Sequence, residues 1–387
     1  MYSEGEVARV ADQTLRVIKS LVPPLFISLA LRVLSRIKQR DFIPWWKSFR
    51  ATEALPGQLV DMVDYYILTE DYRGLSKYWH WLNKKNIEQI ASEGLGNYRQ
   101  TVAKNYFTWV GESLDNSYTR NLIAHAQSSK SKIPLSELFR RHDLFSLDES
   151  VQHNLVTMLL HEYVLASGLS GPLSALDESG LGNPPCIEID GKRISQDMLN
   201  SAIEYRSVQD GQALGSNPVI LEVGAGSGRT AYCFLKLIPQ AKYIIVDVPP
   251  ALFISQHFLS SQFKDKKIFG FRPFNTYSEI AKELEASDIA FLMPHQLKLV
   301  ERASIDVFMA IDCLHEMTPS QVEFYFSEAD RLARSIYFKC WLDTKVPFDG
   351  ITWSSDSYPV RPGWRSKYKR KCAVPADFFE AYFDIRP

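Results

Sequence analysis

Cysteine is scarce in this chain of 387 residues. The five thiols, Cys186, Cys233, Cys313, Cys340 and Cys372, are odd in number and widely spaced, and none forms the C-x-x-C pair of a zinc or redox motif. That excludes a disulfide framework and predicts the reduced thiols of a cytoplasmic protein. An excess of charge of either sign is also missing. With 44 basic residues against 45 acidic ones, the formal net charge is −1, which gives no electrostatic ground for nucleic acid as a partner. Long apolar runs are absent. The most apolar early stretch, Leu21 to Leu34, is shorter than the roughly 20 residues of a bilayer span and is broken by Pro23 and Pro24. The start, MYSEGEVARVADQTL, lacks the basic, apolar and small-residue segments of a secretory signal, so no export is expected. No internal repeat or low-complexity tract is found.

What is present is a globular composition, 45% hydrophobic and 12% aromatic, long enough for two or three domains. From Glu6 to about Gly168, apolar residues recur at helical spacing. One stripe, Phe26, Leu29, Val33 and Ile37, runs beside Arg32, Arg36, Lys38 and Arg40. That pattern suits a helix docking on the protein's own core, with a membrane surface as the less favoured partner. Tyr78 to Trp109 is rich in Trp and Tyr among polar residues, as either an acceptor pocket or an inward-packed helix pair would be. Gly182, Asn183, Pro184 and Pro185 break a loop-rich bridge from Gly171 to Arg193, and a helix is expected over Ser195 to Asp210. Short apolar runs then alternate with helical segments: Pro218 to Val223, Tyr243 to Val248, Ile289 to Met293, Ile305 to Ile311 and Ser335 to Cys340. These read as buried parallel strands, with Lys267 to Phe271 as a further candidate and Phe378 to Ile385 closing the sheet. The expected fold is therefore α/β, a Rossmann-like doubly wound sheet with a mainly helical N-terminal domain. Residues 1–170 would be the helical domain, 171–215 the bridge and pre-strand helix, and 216–387 the ligand-binding α/β domain.

The most informative residues are Leu221-Glu222-Val223-Gly224-Ala225-Gly226-Ser227-Gly228-Arg229-Thr230, directly after the first strand and opening a helix. Glycines at 224, 226 and 228 let the backbone turn sharply and approach a ligand at a helix N-terminus. A nicotinamide-binding turn, G-x-G-x-x-G, would place its third glycine at 229, where Arg229 stands; this argues against an oxidoreductase. Asp247, at the end of the next strand, is placed to accept hydrogen bonds from both ribose hydroxyls.

In this motif the chain resembles the class I S-adenosylmethionine-dependent methyltransferases, whose first motif is commonly E/D-x-G-x-G-x-G and whose second strand ends in an acid. Glu222, Gly224, Gly226, Gly228 and Asp247 match it position by position. A narrower resemblance, from about residue 75 onward, is to sugar O-methyltransferases of polysaccharide and glycolipid gene clusters. It rests on Asn105 to Trp109, Gly182-Asn183-Pro184, Asp190-Gly191, Ile194 to Asp197, Met293 to Leu297 and Leu314-His315-Glu316-Met317. It departs from that pattern at His315, where a glutamine is common. The resemblance implies S-adenosylmethionine as methyl donor, with S-adenosylhomocysteine as product, held by Glu222, Gly224, Ala225, Gly226, Gly228, Asp247 and Val248. It also implies His295 and Gln296 near the adenine, and Ser195 and Gln196 reaching toward the donor's amino-acid end.

The implied acceptor is a sugar or glycosylated small molecule. Amine or carbon methylation, and a non-catalytic donor-binding scaffold, are the alternatives. A hydroxyl needs a base or a metal to become a nucleophile. Asp312, His315 and Glu316 follow the Ile305 to Ile311 strand within five residues, and a helical turn would bring 312 beside both others. His315 is the expected base, oriented by Asp312 or Glu316; capping of the helix signalled at Thr318 to Gln321 is the structural alternative. A divalent metal on Asp312 and Glu316 is not favoured. Tyr106 and Trp109 are expected to wall the acceptor pocket. The basic cluster from Arg361 to Lys371 suits either an acceptor phosphate or a solvated face. A homo-oligomer is compatible with the sequence.

Overall fold

The computed structural model describes residues 42–102, 117–128, 148–301 and 305–386. The basic amphipathic stripe at residues 26–37 lies outside them. A helical layer comes first: α1 (Phe42–Thr52), α2 (Gly57–Tyr66), α3 (Glu70–Gly74), α4 (Lys77–Glu93), α5 (Ser117–Ser128), α6 (Glu149–Ala166) and α7 (Ser170–Ala175). Thr69, Ser76 and Asp148 start α3, α4 and α6 by accepting a first-turn backbone N–H through their side chains.

In the expected loop-rich bridge the structure differs by containing α7 and an antiparallel hairpin. Strands β1 (Ile187–Ile189) and β2 (Lys192–Ile194) are joined through Asp190 and Gly191 at φ 52° and 74°, the two-residue turn that an Asp-Gly pair favours. Three-residue strands are too short to show a period in sequence.

Helix α8 (Gln196–Gly211) leads into the α/β unit. Its elements are β3 (Val219–Val223), α9 (Arg229–Leu237), β4 (Lys242–Val246), α10 (Ala251–Gln262), β5 (Ile268–Phe269), α11 (Ala281–Ala286), β6 (Ile289–Leu292), α12 (Pro294–Leu297), β7 (Val307–Ile311), α13 (Pro319–Leu332) and β8 (Ser335–Trp341). A small hairpin, β9 (Asp343–Lys345) with β10 (Thr352–Ser354), precedes β11 (Arg365–Lys371) and β12 (Phe378–Asp384). The main sheet has the order β11-β12-β8-β7-β3-β4-β6-β5, with β12 antiparallel to both of its neighbours. This is the Rossmann-like doubly wound α/β fold. The chain starts in the middle at β3, moves outward through β4 to β5 at the edge, steps back to insert β6 between them, then returns to lay β7 on the other flank of β3. The reversal makes the carboxyl ends of β3 and β7 a topological switch point, where such sheets open a ligand crevice.

Both faces of the sheet are covered, so its strands are apolar on both sides. Ile220, Tyr243, Ile245, Met309 and Tyr337 belong to one buried cluster, Leu221, Val223, Ile244, Phe308 and Phe338 to another. The first cluster also takes in Trp46, Leu59, Met62, Leu82 and Ile90 of the helical layer, so layer and sheet share one core. The basic run is β11, an edge strand whose charges are mostly paired: Arg365 and Lys367 with Asp384, Lys369 with Asp356, Arg370 with Glu380 and Asp210. All five cysteines are free thiols.

A polar clamp fixes the helical layer over the crevice. Asp349, between β9 and β10, accepts hydrogen bonds from the backbone N–H groups of Lys77 (2.9 Å) and Tyr78 (3.4 Å), while Ser76 accepts that of Trp79 (3.3 Å). The first-turn donors of α4 are thus satisfied from opposite ends of the sequence, with negative charge at the helix's positive end. Asp349→Ala is expected to cost about 1 kcal/mol and lower Tm by roughly 2 °C. Scanning calorimetry at neutral pH reads this, and an unchanged transition would mean that Ser76 alone sustains the cap.

Candidate active site

Three left-handed glycines shape the loop between β3 and α9: Gly224 (φ 70°), Gly226 (φ 57°) and Gly228 (φ 81°). At 224 the demand is also steric, because a Cβ there would lie 2.6 Å from Cys313 Cβ at the end of β7. The loop therefore packs directly against the opposite lip of the switch point. Asp247, just beyond β4, holds it from the other side: its carboxylate accepts from Gly226 N at 2.9 Å and Val248 N at 2.7 Å. A carboxylate has about four lone-pair sites, so an acceptor position remains on each oxygen for a vicinal diol. Burial pushes its pKa up to about 7 against those backbone donors. Ala225 is buried within the turn.

Across the switch point, β7 ends at Asp312 in left-handed conformation (φ 57°), and a 3₁₀ turn over Leu314–Glu316 follows. This tight turn brings His315 Nε2 to 3.5 Å from Asp312 Oδ1. Asp312 Oδ1, His315 Nδ1 and Glu316 Oε2 are buried without a hydrogen-bond partner. Desolvation holds the imidazole neutral, its pKa lowered to about 3, and lifts Asp312 to about 7. Glu316 is raised well above the usual carboxylate range by burial and by Asp312, although Trp79 of α4 hydrogen-bonds to it. Tyr78 lies in the field of the same two acids. The structural alternative for His315 and Glu316 does not hold: Thr318 and Gln321 form the capping box of α13. Among the described residues no cluster of three His, Cys, Asp or Glu side chains is arranged to hold a metal ion.

The other predicted site residues fall in three places. Glu222 points beneath the loop, accepting from Tyr243 Oη at 2.8 Å, with its pKa pushed up to about 7 by burial. Ser195 caps α8, accepting from Met198 N at 3.1 Å and donating to Glu178, and the Gln196 amide binds Thr157 Oγ1 at 3.2 Å beside His153. Gln196 thus faces α6 of the helical layer, and Ser195 faces the bridge. At the end of β6, Gln296 is fully buried and serves backbone groups, accepting from Met293 N and donating to Arg272 O. His295 instead has both ring nitrogens without hydrogen-bond partners. Tyr106 and Trp109 lie outside the described residues. Sequence reading placed Tyr78 in a possible pocket stretch but did not single out Tyr66 and Asp71 of the helical layer, although Tyr66 lies in the field of both Asp71 and Asp247. Apart from the aromatic richness that marks Tyr78, no local pattern signals a residue whose role comes from packing against a distant strand end.

Fold and crevice together define a Rossmann-like protein with a glycine-rich loop on one lip and an acid–histidine cluster on the other. No family model matches the chain, and no curated protein matches it. Among solved structures it is similar to an SAM dependent methyltransferase from Aquifex aeolicus, with 15% identity over 47% of this chain and 88% of that one and a TM-score of 0.30. It is also similar to mitomycin 7-O-methyltransferase, with 11% identity over 66% and 76% of the respective chains and a TM-score of 0.33.

A raised carboxyl pKa makes the folded state hold its proton longer than the unfolded chain does, so stability is lost as pH rises from about 4 through about 7. Asp312→Asn mimics the protonated form and keeps a residue type that tolerates positive φ. It should be near neutral at pH 5 and stabilising by on the order of 2 kcal/mol at pH 8. Thermal melts at both pH values test this, and a variant destabilised equally at both would refute it.

Proposed function

We propose that this chain is an S-adenosylmethionine-dependent O-methyltransferase acting on a hydroxyl of a sugar or glycosylated small molecule. The observation that carries the reading is the meeting, at one switch point, of a diol-ready Asp247 bonded to the glycine loop with the open polar atoms Asp312 Oδ1, His315 Nδ1 and Glu316 Oε2 opposite. The donor's ribose fits the two remaining acceptor positions of Asp247, and the glycine loop with Ala225 and Val248 would hold the adjoining part of the molecule. The donor supplies a carbon open to in-line displacement.

The chain's own residues supply the rest. A sugar hydroxyl must lose a proton as its oxygen attacks, with the reacting atoms held about 3 Å apart. With Nε2–H facing Asp312, the free Nδ1 of His315 is the lone pair that takes this proton. Asp312 then steadies the imidazolium, as a carboxylate does beside any histidine base. The half-buried ring of Tyr78, in the field of Glu316, suits the flat side of a sugar ring, and Tyr106 and Trp109 remain proposed acceptor contacts.

Calorimetric titration should give micromolar S-adenosylhomocysteine binding, roughly −8 kcal/mol, with no heat from NAD. Asp247→Ala should abolish it. Protonation of Asp247 removes an acceptor position, so wild-type affinity should fall as pH is lowered from 8 to 6; a pH-independent affinity would remove Asp247 from the ribose. With sugar-hydroxyl acceptors, His315→Ala should keep donor affinity while turnover drops on the order of 100-fold. Unchanged turnover would end the base assignment.

A further inference from the structure

A second group of unsatisfied polar atoms lies where the helical layer meets the end of β6, and the proposed chemistry does not use it. A cavity of about 180 Å³ opens there, lined by Tyr66, Asp71, Pro294, Lys298, Phe324 and Tyr325 among others. Tyr66 is only 3% exposed, and its Oη has no hydrogen-bond partner. Asp71 Oδ2 has none, and neither ring nitrogen of His295 has one. Asp71 Oδ2 and His295 Nδ1 are 3.7 Å apart, too far to satisfy each other, while Lys298 Nζ pairs with the other oxygen, Asp71 Oδ1, at 3.7 Å and leaves Oδ2 as the open acceptor. Buried polar atoms left open in this way mark a place for a ligand that supplies their partners.

The cavity adjoins the ribose end of the donor site. Tyr66 and Tyr325 each lie in the fields of both Asp71 and Asp247. Asp247 N bonds to Leu292 O at 3.2 Å, so the segment after β6 runs directly beside the ribose carboxylate. That segment, Met293-Pro294-His295-Gln296-Leu297, carries no acid, and the Gln296 amide is already engaged by backbone. A ring continuing from the ribose meets aromatic walls and finds its carboxylate on α3, in the helical layer.

We propose that Asp71 reads the amino edge of the donor's purine, with Tyr66 and His295 beside it, so that selectivity for a 6-amino over a 6-oxo base resides outside the α/β unit. This rests on the donor reading above. A carboxylate accepts hydrogen bonds and cannot donate one, so it pairs with an exocyclic amino group and repels a carbonyl oxygen.

The test titrates S-adenosylhomocysteine and its deaminated counterpart, S-inosylhomocysteine, into the full chain at neutral pH. The wild type should prefer the amino ligand by at least about ten-fold, because the mismatch leaves a buried acceptor unpaired. Asp71→Asn, which can donate to a carbonyl, should bring the two within about three-fold at native Tm. Tyr66→Phe should keep the preference while weakening both ligands. Equal wild-type affinities overturn the proposal even if Asp71→Asn fails to fold, and so does a preference that survives in a folded Asp71→Asn. In either case the donor reading stands. Binding of neither ligand to the wild type removes the donor reading and this inference together.

Discussion

The crevice depends on a charge cluster that never meets solvent. Arg229, where a dinucleotide turn would carry its last glycine, is 6% exposed and binds Glu204 at 2.9 and 3.2 Å and Ser201 at 2.8 Å. Lys339 of β8 reaches the same Glu204 at 3.3 Å. The two cations depress the Glu204 pKa, and Glu204 in turn raises theirs, so all three remain charged despite burial. Removing one member would strand an uncompensated charge, a defect that typically costs about 3–5 kcal/mol. The geometric result is that α9 is fixed to α8 and β8. The glycine loop, fixed also by Asp247, arrives at the crevice already shaped, and its order need not come from a ligand.

Asp312, His315 and Glu316 are the opposite case. Their desolvation is offset only in part, by the charges of Arg229 and Lys339 near Asp312 and by the Trp79 hydrogen bond to Glu316, and the pKa values of both acids stay raised. Such strained polar groups are the usual trade of stability for chemistry. The protein keeps both kinds of buried polar group around one sheet: a fully paired set that holds the scaffold still and a set with three polar atoms left open.

The α/β half of the chain was legible because its strands are buried on both faces and bounded by breakers, and because the glycine loop and Asp247 stand at fixed distances along it. The β3, β4, β6, β7 and β8 runs were found within a residue or two at most ends, and β12 likewise. Strand β11 escaped, since one apolar-facing tyrosine among six polar residues has no readable alternation. The contacts of Ser195, Gln196 and Glu222 were hidden for a different reason: each depends on which face of an element packs against which neighbour. Asp71 and Asp349 lie in segments without motif character, and only folding brings Asp71 beside His295 after β6 and Asp349 to the start of α4, each hundreds of positions away.

Because the helical layer contributes to the same buried cluster as one face of the sheet, it is not a detachable cover. Cutting the chain before β3 would bare the apolar surface that this shared cluster buries, and the remainder would be prone to stick to other molecules. A change in the helices that alters the lining of the crevice therefore also changes the packing of the core that they share with the sheet.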